Sequence, residues 1–134
     1  MAKTKERILI VEDNDTAREL VRMTLERHGY EVTAAENGVE GYDMLIGSPV
    51  DLIITDIHMP AADGTHLVRR VRGTPEVAHT PILVVTGYGT GSATFTLAQG
   101  ADAFEPKPID PHTLLTTVRR LLDERHRKSA SGGA

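Results

Sequence analysis

At 134 residues, 40% hydrophobic and 25% charged, the chain has the size and composition of one globular domain that buries its core without staples. It has no cysteine, which excludes disulfide frameworks, thiolate zinc sites and cysteine nucleophiles. The balance of 15 Lys and Arg against 19 Asp and Glu leaves a net charge of −4 and no general electrostatic reason to bind nucleic acid.

No apolar run approaches the roughly 18 residues that span a membrane, and Met1 to Arg7 has no signal-peptide pattern, so membrane insertion is not expected and the cytoplasm is the expected location. In chain order, Ile8-Leu9-Ile10-Val11 reads as a buried strand that runs into Glu12-Asp13. Asp15 is expected to cap a helix whose Ala17, Leu20, Val21, Thr24 and Leu25 recur at helical spacing, and Gly29 closes it. Tyr30 to Ala35 reads as a second strand. Asn37-Gly38 turns into a helix carrying Val39, Tyr42, Leu45 and Ile46, which Gly47-Ser48-Pro49 breaks.

The third strand, Leu52-Ile53-Ile54-Thr55, ends at Asp56 and is followed by Met59-Pro60 and Gly64. A helix from Thr65 to Arg72 turns Leu67, Val68 and Val71 inward. Ile82-Leu83-Val84-Val85 is a fourth strand ending at Thr86-Gly87. Gly87, Gly89 and Gly91 weaken the next helix start, so that helix is expected to be short and mobile, over 93–99, with Gly100 closing it. Ala103 to Lys107 is a short last strand, and Pro111 opens a helix carrying Leu114, Leu115, Val118, Leu121 and Leu122. The basic stretch Arg119-Arg120 and Arg125 to Lys128 reads as a solvated helix end favoured by the macrodipole. Residues 1–127 form the expected domain and 128–134 a disordered tail.

Five strands alternating with five helices predict a doubly wound parallel sheet, with ligands outside the carboxyl ends of the strands. Three carboxylates (Glu12, Asp13, Asp56), the Thr86 hydroxyl and the Lys107 ammonium fall at those ends. Glu12, Asp13 and Asp56 repel one another unless a cation intervenes, and Mg²⁺ (or Mn²⁺) suits few carboxylates plus water and phosphate oxygens. With Lys107 and Thr86 added, such a pocket is built to hold a phosphoryl group. No Gly-rich nucleotide cradle accompanies it, so ATP is not the expected direct donor. Asp13-Asn14-Asp15 starts like a calcium loop but lacks the Gly and final Glu that such a loop requires. His28, His66, His79, His112 and His126 show no metal-ligand pairing and are expected at the surface.

Four motifs, Glu12-Asp13, Asp56-x-x-Met59-Pro60 with Gly64, Thr86-Gly87 and Phe104-x-x-Lys107-Pro108, occur in order on this β/α pattern. On them, residues 6 to about 124 resemble the receiver domain of two-component response regulators. The resemblance implies a flavodoxin-like sheet of order 2-1-3-4-5 and a phosphorylation-activated switch. It implies that Asp56 takes a phosphoryl group from the phosphohistidine of a sensor histidine kinase or histidine phosphotransfer protein. Asp13, Asp56 and the His58 backbone carbonyl would ligate Mg²⁺, with Glu12 acting mainly through water. Lys107 would pair with Asp56 and then with a phosphate oxygen, Thr86 would swing to the phosphoryl group, and Phe104 would follow it inward. A cis peptide is implied at Lys107-Pro108. A downstream protein effector would read the face made by the helix over 93–99, the last strand and the last helix. The protein would be a monomer or a weak phosphorylation-dependent dimer, and not an enzyme beyond self-catalysed phosphotransfer and autodephosphorylation.

The departures from the family pattern are informative. His58 and Tyr88, two positions past Asp56 and Thr86, are bulky where small or polar residues are common, and are expected to slow hydrolysis of the acyl phosphate. Gly87 replaces the usual Ala and leaves access for the phosphodonor. Pro106, which cannot donate to a ladder, is tolerable on an edge strand. With no effector segment after the last helix, a stand-alone receiver is expected; the alternatives are a receiver excised from a longer regulator or hybrid kinase, and an unphosphorylated binding scaffold. A Mg²⁺-dependent aspartyl-phosphate hydrolase is disfavoured, because its Asp-x-Asp belongs on the first strand and His58 supplies no second acid.

Overall fold

Asparagine, not aspartate, starts the first helix in the computed structural model, which describes residues 5–57, 64–87, 97 and 99–132. Asn14 has the extended backbone of a cap, and its side-chain oxygen accepts from the Ala17 N–H at 2.8 Å. Asp15, expected as the cap, is instead the first helical residue, where its charge complements the helix N-terminus. The elements are β1 (Arg7–Val11), α1 (Asp15–Arg27), β2 (Glu31–Ala35), α2 (Gly38–Gly47), β3 (Leu52–Asp56), α3 (Gly64–Arg72), β4 (Ile82–Thr86), β5 (Ala103–Pro106) and α4 (Pro111–Gly132). Apart from Leu97 and Gln99, the helix expected over 93–99 lies outside the described residues.

The five strands form one sheet of order β2-β1-β3-β4-β5, every neighbouring pair parallel, as expected. Residues 8–11, 52–54 and 82–85 of the central strands are apolar throughout because both faces are covered. Ile8, Ile10, Leu52, Ile54, Leu83 and Val85 point to one side, against Val21 and Leu25 of α1 and Leu114, Val118 and Leu122 of α4. Their alternates Leu9, Val11, Ile53, Ile82 and Val84 point to the other, against Leu45 of α2 and Leu67, Val68 and Val71 of α3. Each strand thus contributes to both cores with period two.

α2 lies close on β1 at Gly41, where an added Cβ would meet Val11 Cγ2 at 2.7 Å. Val11 is β-branched and fully buried, so it has no room to yield. Gly41→Ala gains about 1 kcal/mol of helix propensity but incurs overpacking of about 1–3 kcal/mol. The expected result is a net loss of about 1 kcal/mol in urea unfolding, and a gain in stability would refute the close contact.

α4 runs on to Gly132, past position 128 where the sequence reading expects disorder. A helix anchored over its first turns propagates at little cost per residue, and no Gly or Pro interrupts it before Gly132. The basic residues on this helix also do more than face solvent. Arg119 forks onto both Glu6 carboxylate oxygens at 3.0 and 3.2 Å, and Arg125 reaches Asp51 at 2.7 Å. These contacts tie α4 to the amino-terminal edge of the sheet. Hydropathy carried no sign of them.

At the sheet edge, Pro106 has no N–H to donate, and the Thr86 carbonyl accepts from the Lys107 N–H at 2.9 Å instead. The Lys107-Pro108 peptide is cis, as expected.

Candidate functional site

Where β1 ends, Glu12 is held by its own N–H, which donates to the Ala35 carbonyl of β2 at 3.0 Å. Asp56 is the last residue of β3 and pairs in register with Val85; Thr86 is the last of β4. Parallel pairing brings these three ends level, and the Lys107 backbone, bonded to Thr86, adds the fourth.

Lys107 Nζ lies 2.6 Å from Glu12 Oε1 and 2.7 Å from Asp56 Oδ2. Glu12 and Asp56 are only 5% and 8% exposed, and Thr86 is fully buried. Asp13 is exposed at the rim. Oxygens of Glu12, Asp13 and Asp56 all lie within 4.8 Å of one another, a cluster that could hold a metal ion. Three carboxylates against one ammonium leave excess negative charge, and a set of oxygen donors alone is what a hard divalent cation takes. The donor set therefore fits a hard divalent cation.

The electrostatics of the pair follow from this burial. Burial pushes the Glu12 carboxyl above its ordinary range and the Asp56 charge adds to that, outweighing the Lys107 ammonium and the Asn14 N–H. Burial alone would lower Lys107, but its hydrogen bonds to Asp56 and Glu12 prevail and hold the ammonium above its ordinary value. Lys107 is therefore a fixed positive charge at neutral pH.

Glu12, Asp13, Asp56 and Lys107, expected to converge, do meet in space, and Thr86 ends the neighbouring strand. Glu12 was expected to act on an ion through water, with Lys107 paired to Asp56; the direct Lys107–Glu12 bond is a finding of the tertiary structure. Phe104 is half-buried and packs on the side of the sheet covered by α2 and α3. Gly87 is exposed, and among the described residues a Cβ there would meet Lys107 Cβ at 3.8 Å, an ordinary contact. His58, Met59, Pro60 and Tyr88 lie outside the described residues. His28, His66, His79, His112 and His126 are exposed, and His126 contacts Glu6 at 2.9 Å.

Sequence reasoning missed Arg18. Its Nη1 donates to the Glu12 carbonyl at 2.9 Å, and its other nitrogen pairs with Asp15. The available signal was an arginine three residues after an acid in the first turn, directly behind the acidic pair.

The family model described as "Response regulator receiver domain" matches residues 8–119. The response regulator MprA of Mycobacterium tuberculosis is 39% identical over 117 residues, covering 87% of this chain and 50% of that protein. The chain thus spans about half the length of the curated relatives it matches. Among solved structures, the chemotaxis response regulator CheY4 of Vibrio cholerae superposes with a TM-score of 0.83 at 34% identity, covering 88% of this chain and 99% of that one. The receiver domain of a signal transduction histidine kinase from Syntrophus aciditrophicus gives 0.83 at 36%, covering 89% and 91%.

Proposed function

Because this chain belongs to the response regulator receiver domain family, a family of two-component signalling, we propose that Asp56 is its phosphoryl acceptor. The observation that carries this reading is the buried Asp56 carboxylate bridged through Lys107 to Glu12, with Asp13 beside them. A carboxylate oxygen of Asp56 attacks the phosphorus of a phosphohistidine on a sensor kinase or phosphotransfer protein. The new O–P bond replaces the P–N bond, whose electron pair stays on the donor ring; with its other nitrogen already protonated, the imidazole leaves as the neutral ring. Asp13, Asp56 and the His58 backbone carbonyl would hold Mg²⁺ or Mn²⁺, with Glu12 acting through water, and the ion would supply positive charge to offset the phosphoryl oxygens.

Lys107 holds Asp56 in place beforehand and then balances a phosphoryl oxygen, a fixed charge needing no reorganisation. Thr86 hydrogen-bonds another phosphoryl oxygen, and Phe104 follows into the space it leaves. β5 and α4, with the helix expected from the sequence over 93–99, then present the signal to a downstream protein. The bulk of His58 and Tyr88 slows hydrolysis and lengthens the life of the acyl phosphate. The chain catalyses only its own phosphorylation and dephosphorylation, in the cytoplasm, as a monomer or weak phosphorylation-dependent dimer. No helix among the described residues is long and apolar enough to cross a membrane.

A second reading, in which the chain is the receiver of a longer regulator or hybrid kinase, draws on the half-length match to MprA and the likeness to a kinase's receiver. Both readings share the chemistry. Incubation with acetyl phosphate or phosphoramidate and Mg²⁺, read by intact mass, is expected to add one phosphoryl group to the wild type and none to Asp56→Asn. A wild type with no adduct would instead mark the fold as an unphosphorylated binding scaffold.

A further inference from the structure

Just past the end of β1 at Val11, the Glu12 N–H still pairs with β2, while the Glu12 carbonyl accepts from a side chain of α1. That side chain is Arg18, only 18% exposed, with one nitrogen on the Glu12 carbonyl at 2.9 Å and another on Asp15. Arg22, one turn on, is twice as exposed at 36%, and among the described residues it pairs with Glu19 and Glu26 of its own helix. The two arginines share a helix but not a job. Arg22 decorates a surface; Arg18 reaches back across the loop that carries the acidic pair.

The remaining anchors of this loop are local or backbone-borne. Glu12 N–H bonds to Ala35, Asn14 N–H to Glu12 Oε2 at 3.2 Å, and Ala17 N–H to the Asn14 side chain. Arg18 alone among them is a planar fork that joins the strand end to the body of the helix. We propose that Arg18 is a positioning residue for the acidic cluster: by clamping the Glu12 carbonyl to α1 it sets where Glu12 and Asp13 stand relative to Asp56, and so the cluster's affinity for a divalent cation. This rests on the reading of that cluster as a Mg²⁺ or Mn²⁺ site.

Position and charge predict opposite signs here. Arg18 carries a positive charge close to the cluster, so deleting it on electrostatic grounds alone would tighten cation binding. A positioning role predicts the reverse. Supporting contacts behind a metal ligand are worth about 10-fold or more in affinity. In Mn²⁺ titrations of the full chain, read by the electron paramagnetic resonance of free Mn²⁺, Arg18→Ala is expected to bind about 10-fold more weakly. Arg18→Lys keeps the charge but loses the fork, and is also expected to bind more weakly than wild type. Asp15→Ala spares the bond to Glu12 and should weaken binding less.

Arg18→Ala binding as tightly as wild type, or tighter, overturns the proposal. Should that variant fail to fold, as judged by thermal unfolding, Arg18→Lys decides, and wild-type affinity in it is the refuting result. Asp13→Asn separates this claim from the one beneath it. A wild type whose Mn²⁺ binding depends on Asp13 while the Arg18 variants bind normally overturns the positioning role alone. A wild type that takes up no Mn²⁺ overturns both.

Discussion

Lys107→Met is expected to slow phosphoryl transfer to Asp56 by about 100- to 1000-fold, the usual effect of removing one preorganised donor from a developing anion. The substitution takes away the one ammonium that lies 2.6 and 2.7 Å from the two buried carboxylates. It should also destabilise the fold by about 2–3 kcal/mol at neutral pH without divalent cation. This is less than the about 3–5 kcal/mol of a fully buried pair, because the Lys107 side chain is 26% exposed. Added Mg²⁺ should return more stability to the variant than to wild type, since the excess negative charge is then larger. Labelling rates by intact mass and urea unfolding with and without Mg²⁺ measure both effects; a near-wild-type labelling rate would remove Lys107 from the chemistry.

The pH dependence of this pair has a definite sign. Lys107 is raised above its ordinary 10.5, so its contribution is complete below that value and is lost as pH climbs through the higher folded value. Wild type should therefore lose stability in alkali in a way that Lys107→Met does not. Glu12 is raised above 4.5, chiefly by burial, so it disfavours the fold increasingly as pH rises from 4.5 through its folded value.

Glu105→Val is expected to stabilise the protein by about 1–3 kcal/mol at pH 8, the penalty for burying a polar group without its full set of partners. Glu105 is 5% exposed, on β5 beneath α4. Thr117 of α4 hydrogen-bonds the carboxyl, yet Oε2 is buried without a partner among the described residues. Burial raises this carboxyl above 4.5 and the charge of Asp110 adds to it, while Thr117 and Arg120 oppose. A raised carboxyl costs nothing while protonated in both states, and its penalty grows as pH rises from 4.5 through the folded value. Wild type should lose this increment across that window. Glu105→Val and Glu105→Gln should both flatten it, with Val gaining further from β propensity. An unchanged slope of stability against pH in both variants would show that the carboxyl is solvated in solution.

Much of the molecule was legible in residue order because the signals are local. Two apolar faces on each central strand, Gly29 after α1, Asn37 before α2 and Gly47 after it all act within a few residues. The same holds for a carboxylate at the end of β3 and an acidic pair at the end of β1. Even the cap of α1 was misread by only one position, since Asn14 and Asp15 are both good caps and only the backbone angles choose between them. The reach of α4 to Gly132 was missed because composition describes a segment alone, whereas a helix anchored upstream carries its neighbours with it.

A doubly wound parallel fold with Glu12, Asp13, Asp56, Thr86 and Lys107 at its carboxyl edge can be read from residue order, because periodicity and strand ends are written in consecutive residues. That Lys107 bonds Glu12, 95 residues away, as closely as Asp56, 51 away, emerges from the folded chain and from nothing local. The tertiary structure alone put Arg18 behind the acidic loop and buried Glu105 under α4. Those contacts depend on which strands pair and how helices lie across them, and the side chains that make them carry no mark of it in their own neighbourhood of the chain.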